Sequence, residues 1–241
     1  MTLGKGEPFI PKRVQHYHDY LQRGLPKNVF VKYRRAYIRN ISYSFQYMEY
    51  ISNIILTLPA HAVIESQLIK TFVITGCSSI ESIIWMLLKG NNLNKKLEWE
   101  ELQKRETNKF SDQGTDYKFE VTHYRKLENS IDIEMKFIEM CKQAEKKRVL
   151  GIDSEAYSKL NHIRKLRNRV HIHSVQHDRD NDFWTFSKSD MTLMANTLTS
   201  VLKASIFSPH PNYENMFDWL IAIGDEEPIN LMQSTANSVI D

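Results

Sequence analysis

The sequence predicts an all-α protein, and three observations lead to that fold class. Glycine and proline are sparse, with 8 and 7 residues in a chain of 241, whereas an all-β fold needs a turn about every 8 to 12 residues. Apolar residues recur at spacings of three and four, the period of an amphipathic helix. Helix-capping and helix-stopping residues bound these stretches. We therefore expect a helical bundle with a polar insertion between its second and third core helices.

The first two core helices are expected at Ile41–Pro59 and His61–Gly90. The first ends at a proline, which cannot extend a helix, and the second ends at a glycine. The second is apolar nearly all round, as a central buried helix is. Weak helix propensity at Val73–Gly76 allows a kink there. Polar residues interrupt this span, which argues against a membrane helix: His61, Glu65, Gln67, Lys70 and Glu81.

The insertion covers about residues 91–126 and is polar and charged. We expect a surface helix over Leu93–Glu106 and a loop over Thr107–Phe119. The third core helix is expected over Glu128–Arg148, with cations at its C-terminal end, where the helix dipole favours them. Its buried face would carry Ile131, Met135, Ile138 and Cys141.

A motif helix begins at Asp153 or Ser154, either of which is a good N-cap, and a closing helix begins at a capping box of Ser187 and Asp190. We expect three parts: residues 1–40 as a basic N-terminal extension packing on the bundle, residues 41–210 as the helical domain, and residues 211–241 as a C-terminal helix and polar tail.

Composition indicates a cytoplasmic protein without a membrane anchor. The N-terminus lacks the apolar core of a signal peptide. The two cysteines, Cys77 and Cys141, have apolar neighbours and form no CxxC pair, so we expect buried, reduced thiols. A net charge of +3 permits an acidic partner such as RNA without requiring one.

The densest group of chemically active side chains is LNHIRKLRNRVHIHSVQHDRD, at Leu160–Asp180. On a helix from Ser154, Arg167 falls in the apolar stripe of Ala156, Leu160 and Ile163. A guanidinium keeps its charge, so it must find an anion there or line a cleft.

Two interpretations of Arg167 remain open. It pairs with a buried glutamate of the central helix, Glu81 or Glu65, as a structural ion pair. Alternatively it serves in RNA cleavage, where an arginine holds the scissile phosphate. A neighbouring histidine would move the proton of the 2′-hydroxyl or of the leaving oxygen.

The octapeptide LRNRVHIH resembles the signature of the HEPN superfamily: an arginine, a polar residue, and a histidine after four to six intervening residues. The order of helices over Ile41–Phe207 is similar as well. The resemblance implies a HEPN-like helical bundle and a metal-independent endoribonuclease without a cofactor. It also implies a homodimer with a composite site and a role as a toxin or defence (abortive-infection type) effector, with an antitoxin or regulatory protein as a further partner.

Carried over to this chain, the resemblance makes Arg167 the phosphate-binding arginine and Asn168 the polar residue. His173 has the family spacing from Arg167. His171 lies on the helical face of Arg167 and has that spacing from Arg164, so either histidine is a candidate acid/base. The implied substrate-binding residues are Arg164 and Arg169.

Two alternatives to the ribonuclease hypothesis remain, a metal site and a catalytically inactive domain. HIHSVQHD offers four metal-binding side chains, His171, His173, His177 and Asp178. His173 and His177 have the i, i+4 spacing of helical ligands, but no glutamate follows His173 as in HExxH, so we expect no metal. The domain could be a catalytically inactive HEPN-like module that binds nucleic acid or a protein.

A second basic segment, KNVFVKYRRAYIRN (Lys27–Asn40), allows two interpretations. It could bind a phosphate backbone and stack bases, or its aromatic residues could enter the core while its cations stay in water.

Overall fold

The computed structural model describes residues 9–27, 33–106, 110–170, 181, 185–207 and 215–224. The chain divides into two compact units. The first comprises Met1–Asn92 and Phe137–Asp241 and is helical where it is described. The second, Leu93–Lys136, forms antiparallel β-strands where it is described.

Seven α-helices form the described part of the first unit. They are α1 Val14–Gly24, α2 Arg34–Thr57, α3 Ala62–Gly90, α4 Phe137–Lys147, α5 Ser154–Arg167, α6 Lys188–Leu202 and α7 Asp218–Gly224. Helix α3 is the centre of this unit, because α2, α4, α5 and α6 all pack against it. This confirms the prediction of a central buried helix.

Helix α3 is uninterrupted, so the kink considered at Val73–Gly76 does not occur. Gly76 instead allows close packing of three helices. A Cβ atom there would come within 2.9 Å of the terminal methyl groups of Met48 in α2 and Met194 in α6. The glycine therefore accommodates neighbouring side chains while the backbone remains helical.

Helix α3 is also long and apolar enough to cross a bilayer, and its most apolar 18-residue window has a mean hydropathy of 1.6. Within that window, 61% of the residues are buried by the rest of the structure. A core helix meets the same criteria of length and composition as a membrane span. The helices packed around α3 account for its burial.

The prediction of an all-α fold is wrong, because Leu93–Lys136 forms β structure. Strand β1 (Lys96–Glu106) pairs with β4 (Glu120–Asp132), and β2 (Phe110–Asp112) pairs with β3 (Thr115–Tyr117), both antiparallel. The described residues therefore form a mixed fold, with a helical unit and two two-stranded sheets.

The surface helix predicted at Leu93–Glu106 is thus a strand, and cross-strand pairing accounts for the difference. Glu100 and Lys104 have the i, i+4 spacing that stabilises a helix. In the structure Lys104 contacts Glu120 of β4 at 2.7 Å, while Glu100 pairs with Arg125. Partners distant in sequence therefore replace the local pair, and such contacts override a weak helix propensity.

The segment predicted as a loop, Thr107–Phe119, contains the β2–β3 hairpin. Its two-residue turn places Gln113 at φ 48° and Gly114 at φ 78°. Two consecutive positive φ values are characteristic of a type I′ turn, whose twist suits a hairpin.

Strand β4 also shortens the third core helix, which was predicted from Glu128 and begins at Phe137. Ile131 was expected on its buried face but lies in β4 with 55% exposure. Cys141 is buried as predicted, and Lys146 and Lys147 lie in the last turn.

Helix α2 begins at Arg34, seven residues before its predicted start. The Arg34 side chain is buried and donates hydrogen bonds to the carbonyl oxygens of Gln22, Leu25 and Pro26, at 3.0, 2.8 and 2.9 Å. It thereby satisfies acceptors left open at the end of α1. The predicted N-terminal extension, residues 1–40, thus contains α1 and the start of α2.

Candidate active site at the end of helix α5

Local sequence determines where α5 begins and which face it buries. Asp153 is the N-cap, since its carboxylate accepts a hydrogen bond from the Ala156 backbone at 2.8 Å. Ala156, Leu160 and Ile163 are buried, as the helical wheel predicted. The helix ends at Arg167 and continues as a 3-10 turn over Asn168–Val170.

The Arg167 side chain reaches the central helix. Its Nη2 atom lies 3.0 Å from Oε2 of Glu81, and the two side chains are 36% and 23% exposed. The ion-pair interpretation allowed Glu81 or Glu65, and the structure contains the pair with Glu81. Glu65 lies 3.1 Å from the Nζ of Lys188 in α6. Arg167 thus has an anionic partner and still keeps a third of its side chain accessible.

Arg164 lies one turn before Arg167 and has unmet hydrogen-bonding capacity. Its Nε atom is buried and has no hydrogen-bond partner among the residues that the structure describes. A buried guanidinium nitrogen without an acceptor is costly. The end of α5 therefore presents a cation that an anion would stabilise.

Two thiols lie near these charges. Burial, with a smaller contribution from the Glu81 carboxylate, raises the pKa of Cys77 to about 12, although the charge of Arg167 opposes the rise. Burial likewise raises the pKa of Cys141 to about 12, against the opposing charge of Arg164. Both groups are thiols at neutral pH, so neither is an activated nucleophile. The prediction of buried, free cysteines is confirmed.

The other motif residues follow α5 directly. Asn168 is exposed, and its backbone N–H caps the helix by donating to the carbonyl oxygen of Arg164. Arg169 is half-buried in the 3-10 turn. Both candidate histidines, His171 and His173, lie outside the described residues.

The alternative metal site, His171, His173, His177 and Asp178, also lies outside the described residues. Within the described part of the chain, no three histidine, cysteine, aspartate or glutamate side chains form a group that could hold a metal ion.

The sequence did not reveal that Cys77 and Cys141 lie beside the two arginines. Cys77 and Glu81 are four residues apart on α3 and so share a face, which is the one local signal available. Their position beside α5 depends on how α3, α4 and α5 pack together.

Taken together, the end of α5 carries two arginines with different environments. Arg167 is anchored by Glu81 and partly exposed, and Arg164 has a buried nitrogen that lacks an acceptor among the described residues. This arrangement suits the binding of an anionic group. No protein-family model, no curated protein and no solved structure matches this chain.

Proposed function

We propose that the protein is a metal-independent endoribonuclease of HEPN type, with its active site at the end of α5. The observation that carries the proposal is the state of Arg167, whose guanidinium is held by Glu81 while 36% of the side chain remains exposed. A phosphate can reach such a group without first displacing a buried network. The motif LRNRVHIH supplies the remaining chemistry through its resemblance to HEPN ribonucleases.

In the proposed reaction the ribose 2′-oxygen attacks the neighbouring phosphorus. The new O2′–P bond forms as the P–O5′ bond breaks, which yields a 2′,3′-cyclic phosphate and a 5′-hydroxyl. His173 or His171 takes the proton of the 2′-hydroxyl or returns one to the leaving 5′-oxygen, since an imidazole titrates near neutral pH. The cycle needs no oxidant and no metal.

The two arginines have separate tasks in this mechanism. Arg167 binds the scissile phosphate and stabilises the charge that develops on its oxygens. Arg164, half-buried one turn earlier on α5, adds a second positive charge to the substrate-binding surface. Asn168, exposed at the helix end, orients the substrate, and Arg169 contributes to substrate binding.

Glu81 is a positioning residue for Arg167. Its carboxylate, 3.0 Å from the guanidinium, fixes the direction of the arginine side chain. A side chain held in this way loses less conformational entropy when it binds a phosphate.

The resemblance to HEPN ribonucleases also implies how the protein assembles and where it acts. The protein acts as a homodimer whose two motifs meet in one cleft, in the cytoplasm, as a toxin or defence effector that an antitoxin or regulatory protein restrains. Size-exclusion chromatography with light scattering tests the dimer, and a strict monomer at the assay concentration would refute the composite site.

The decisive experiment is cleavage of a defined RNA by the purified protein, with analysis of the new ends. We expect 2′,3′-cyclic phosphate and 5′-hydroxyl ends, and cleavage that persists in excess EDTA. Arg167→Ala should lower the rate at least about a hundredfold, because it removes a charge that stabilises the transition state. The substitutions His171→Ala and His173→Ala, made singly, identify the acid/base.

Lys165→Ala is the matched control, because it removes an exposed cation from the same turn of α5. It should leave the rate within about twofold. New 5′-phosphate ends, or a complete loss of cleavage in EDTA, would contradict the mechanism.

The second candidate is a catalytically inactive HEPN-like module that binds nucleic acid or a protein. The observation in its favour is the Arg167–Glu81 ion pair itself, because a structural pair needs no substrate to explain the arginine. If the wild-type protein leaves RNA intact and Arg167→Ala changes only its stability, this second function replaces the first.

A further inference from the structure

A basic cleft lies between α1 and α2, away from the end of α5 in sequence. Its volume is about 440 Å³, and none of the described residues that line it is acidic. Its polar lining includes His18, Gln22, Lys27, Arg34, Arg35 and Arg39.

The cations of the basic cleft differ in availability. Arg34 is committed to carbonyl oxygens of the chain. Lys27, Arg35 and Arg39 are exposed and form no ion pair with any residue that the structure describes. Asp19 does not line the cleft, but it accepts a hydrogen bond from Gln15 at 2.6 Å and lies 3.5 Å from Nδ1 of His18. Lys27, Arg35 and Arg39 therefore supply positive charge that no acidic residue among those described pairs with directly.

One further atom in the basic cleft lacks a partner. The His18 side chain is only 13% exposed, and its Nε2 atom is buried without a hydrogen-bond partner among described residues. An imidazole nitrogen in this state can donate to an oxygen of a bound ligand. Three available cations and this donor together suit a phosphate.

A row of exposed tyrosines continues from the basic cleft along α2. Tyr43, Tyr47 and Tyr50 are 50%, 49% and 46% exposed. At about 100° per residue they lie within about 120° of helix surface together with Arg35 and Arg39. The face extends for about 22 Å along the helix from Arg35 to Tyr50.

We propose that this face of α2 binds single-stranded RNA, with phosphates in the basic cleft and bases stacked on the tyrosine row. Cations that track the backbone, beside aromatic rings that stack bases, are the general features of a surface for single strands. A duplex fits poorly because its bases already stack on one another. The choice of RNA as the ligand rests on the proposed ribonuclease function.

In this proposal the α2 face binds the RNA substrate, and the LRNRVHIH site at the end of α5 cleaves it. The sequence stretch Lys27–Asn40 allowed either phosphate binding or burial of its aromatic residues. Tyr37 is half-buried, with its ring centroid 5.0 Å from that of Trp85, whereas Tyr33 is 52% exposed, and Phe30 lies outside the described residues. Of the cations, Arg34 is buried, whereas Arg35 and Arg39 face solvent.

The test measures binding of a fluorescein-labelled, mixed-sequence 12-mer whose 2′-O-methyl groups block cleavage. Fluorescence anisotropy gives Kd at several salt concentrations. We expect the double variant Arg35→Ala/Arg39→Ala to bind at least about tenfold more weakly. Its slope of log K against log salt should fall by about 1.4, because each phosphate that the protein no longer neutralises lowers the slope by about 0.7.

The double variant Tyr43→Ala/Tyr47→Ala should also bind about tenfold or more weakly, because stacking on each ring is lost. Its salt slope should stay unchanged, since no charge is removed. A matching RNA duplex should bind more weakly and respond little to the tyrosine changes.

Matched controls come from other surfaces of the chain. Lys146→Ala/Lys147→Ala removes two exposed cations from α4, and Tyr124→Ala removes a 56% exposed tyrosine from β4. Both should bind the 12-mer within about twofold of wild type.

Wild-type affinity in both α2 variants would overturn the proposal. A second outcome would also overturn it: the tyrosine variants keep their RNA affinity but change the oligomer mass measured by light scattering. The exposed tyrosines of α2 would then form a subunit interface. Cleavage assays separate this proposal from the ribonuclease function. Arg167→Ala should fail to cleave, and adding Arg35→Ala/Arg39→Ala to it should still weaken binding of the 12-mer at least about tenfold. The α2 variants alone should raise KM and keep kcat.

If the wild type binds the 12-mer through α2 but cleaves no RNA, the ribonuclease proposal fails and the binding proposal stands. If the wild type cleaves RNA and the α2 variants do so with unchanged KM, only the binding proposal fails.

Discussion

The guanidinium of Arg167 and the carboxylate of Glu81 lie 3.0 Å apart and join α5 to the central helix α3. The pair resolves how a charged side chain is accommodated on the inner face of an amphipathic helix. It also orients the residue on which the proposed chemistry depends. A structural role and a catalytic role for Arg167 are therefore compatible. The two roles predict different effects when its partner, Glu81, is substituted.

Glu81→Gln should lower kcat for RNA cleavage about tenfold and leave KM nearly unchanged, because Arg167 remains present but loses its orientation. The coupling free energy of Glu81 and Arg167 in unfolding should be small, about 0.5 to 1 kcal/mol, since both side chains are partly exposed to solvent. Urea unfolding of the two single variants and the double variant measures this coupling.

Glu65→Gln is the control for Glu81→Gln, because it removes a carboxylate of the same helix that contacts Lys188 instead. An equal fall in kcat for both variants would show that the effect is not specific to the Arg167 pair.

Arg34→Ala should lower the free energy of unfolding by about 2 to 4 kcal/mol, because three carbonyl oxygens at the end of α1 lose a charged donor. Arg34→Lys should restore little, since one ammonium cannot reproduce the planar fork of a guanidinium. Arg35→Ala, at the adjacent exposed position, should change stability by no more than about 0.5 kcal/mol. Chemical denaturation of the three variants checks this ranking.

Asp153→Ala should destabilise the protein by about 1 kcal/mol through loss of the α5 N-cap. Ser154→Ala changes the first helical residue and should have an effect near zero. Thermal unfolding of the two variants compares them directly. A larger loss for Ser154→Ala would mean that the cap is assigned to the wrong residue.

The unfolding free energy should fall as the pH rises from 9 towards 12. Burial raises the pKa of both Cys77 and Cys141 from 9.0 to about 12. In that window the folded thiols keep protons that the unfolded chain releases. The stability is fully present below pH 9, and each thiol removes up to about 1.4 kcal/mol per pH unit above it.

Urea unfolding at pH 9 and pH 10 tests this dependence when wild type is compared with Cys141→Ala. The tyrosines of the unfolded chain begin to ionise in the same range but contribute equally to both proteins. Cys141→Ala should lose about 1 kcal/mol less than wild type between the two pH values. Equal losses would show that Cys141 does not keep its proton in the folded protein.

Local sequence was sufficient for the parts of the fold whose signals lie within a few residues. Helix α3 ends at Gly90, and α5 begins at Ser154 after its N-cap Asp153, as capping chemistry predicted. Ser187 and Asp190 form the predicted capping box, in which the Asp190 carboxylate accepts from the Ser187 backbone at 3.0 Å. The inward position of Arg167 likewise follows from 3.6 residues per turn.

Contacts between residues distant in sequence determined the parts of the fold that local sequence did not predict. Glu100 and Lys104 carry a helical pattern, yet Arg125 and Glu120 of the opposite strand determine their conformation. A cross-strand contact leaves no periodic signal in either segment, so the all-α prediction failed at Leu93–Lys136.

The candidate site also has some features that local sequence predicted and others that depend on tertiary contacts. The sequence by itself determined that Arg167 lies on the buried face of its helix and therefore needs an anion. Only the tertiary structure selected Glu81 rather than Glu65, brought Cys77 and Cys141 beside Arg164, and turned Arg34 inward. Helix periodicity specifies a direction around one axis, whereas the identity of the neighbour depends on how separate helices pack.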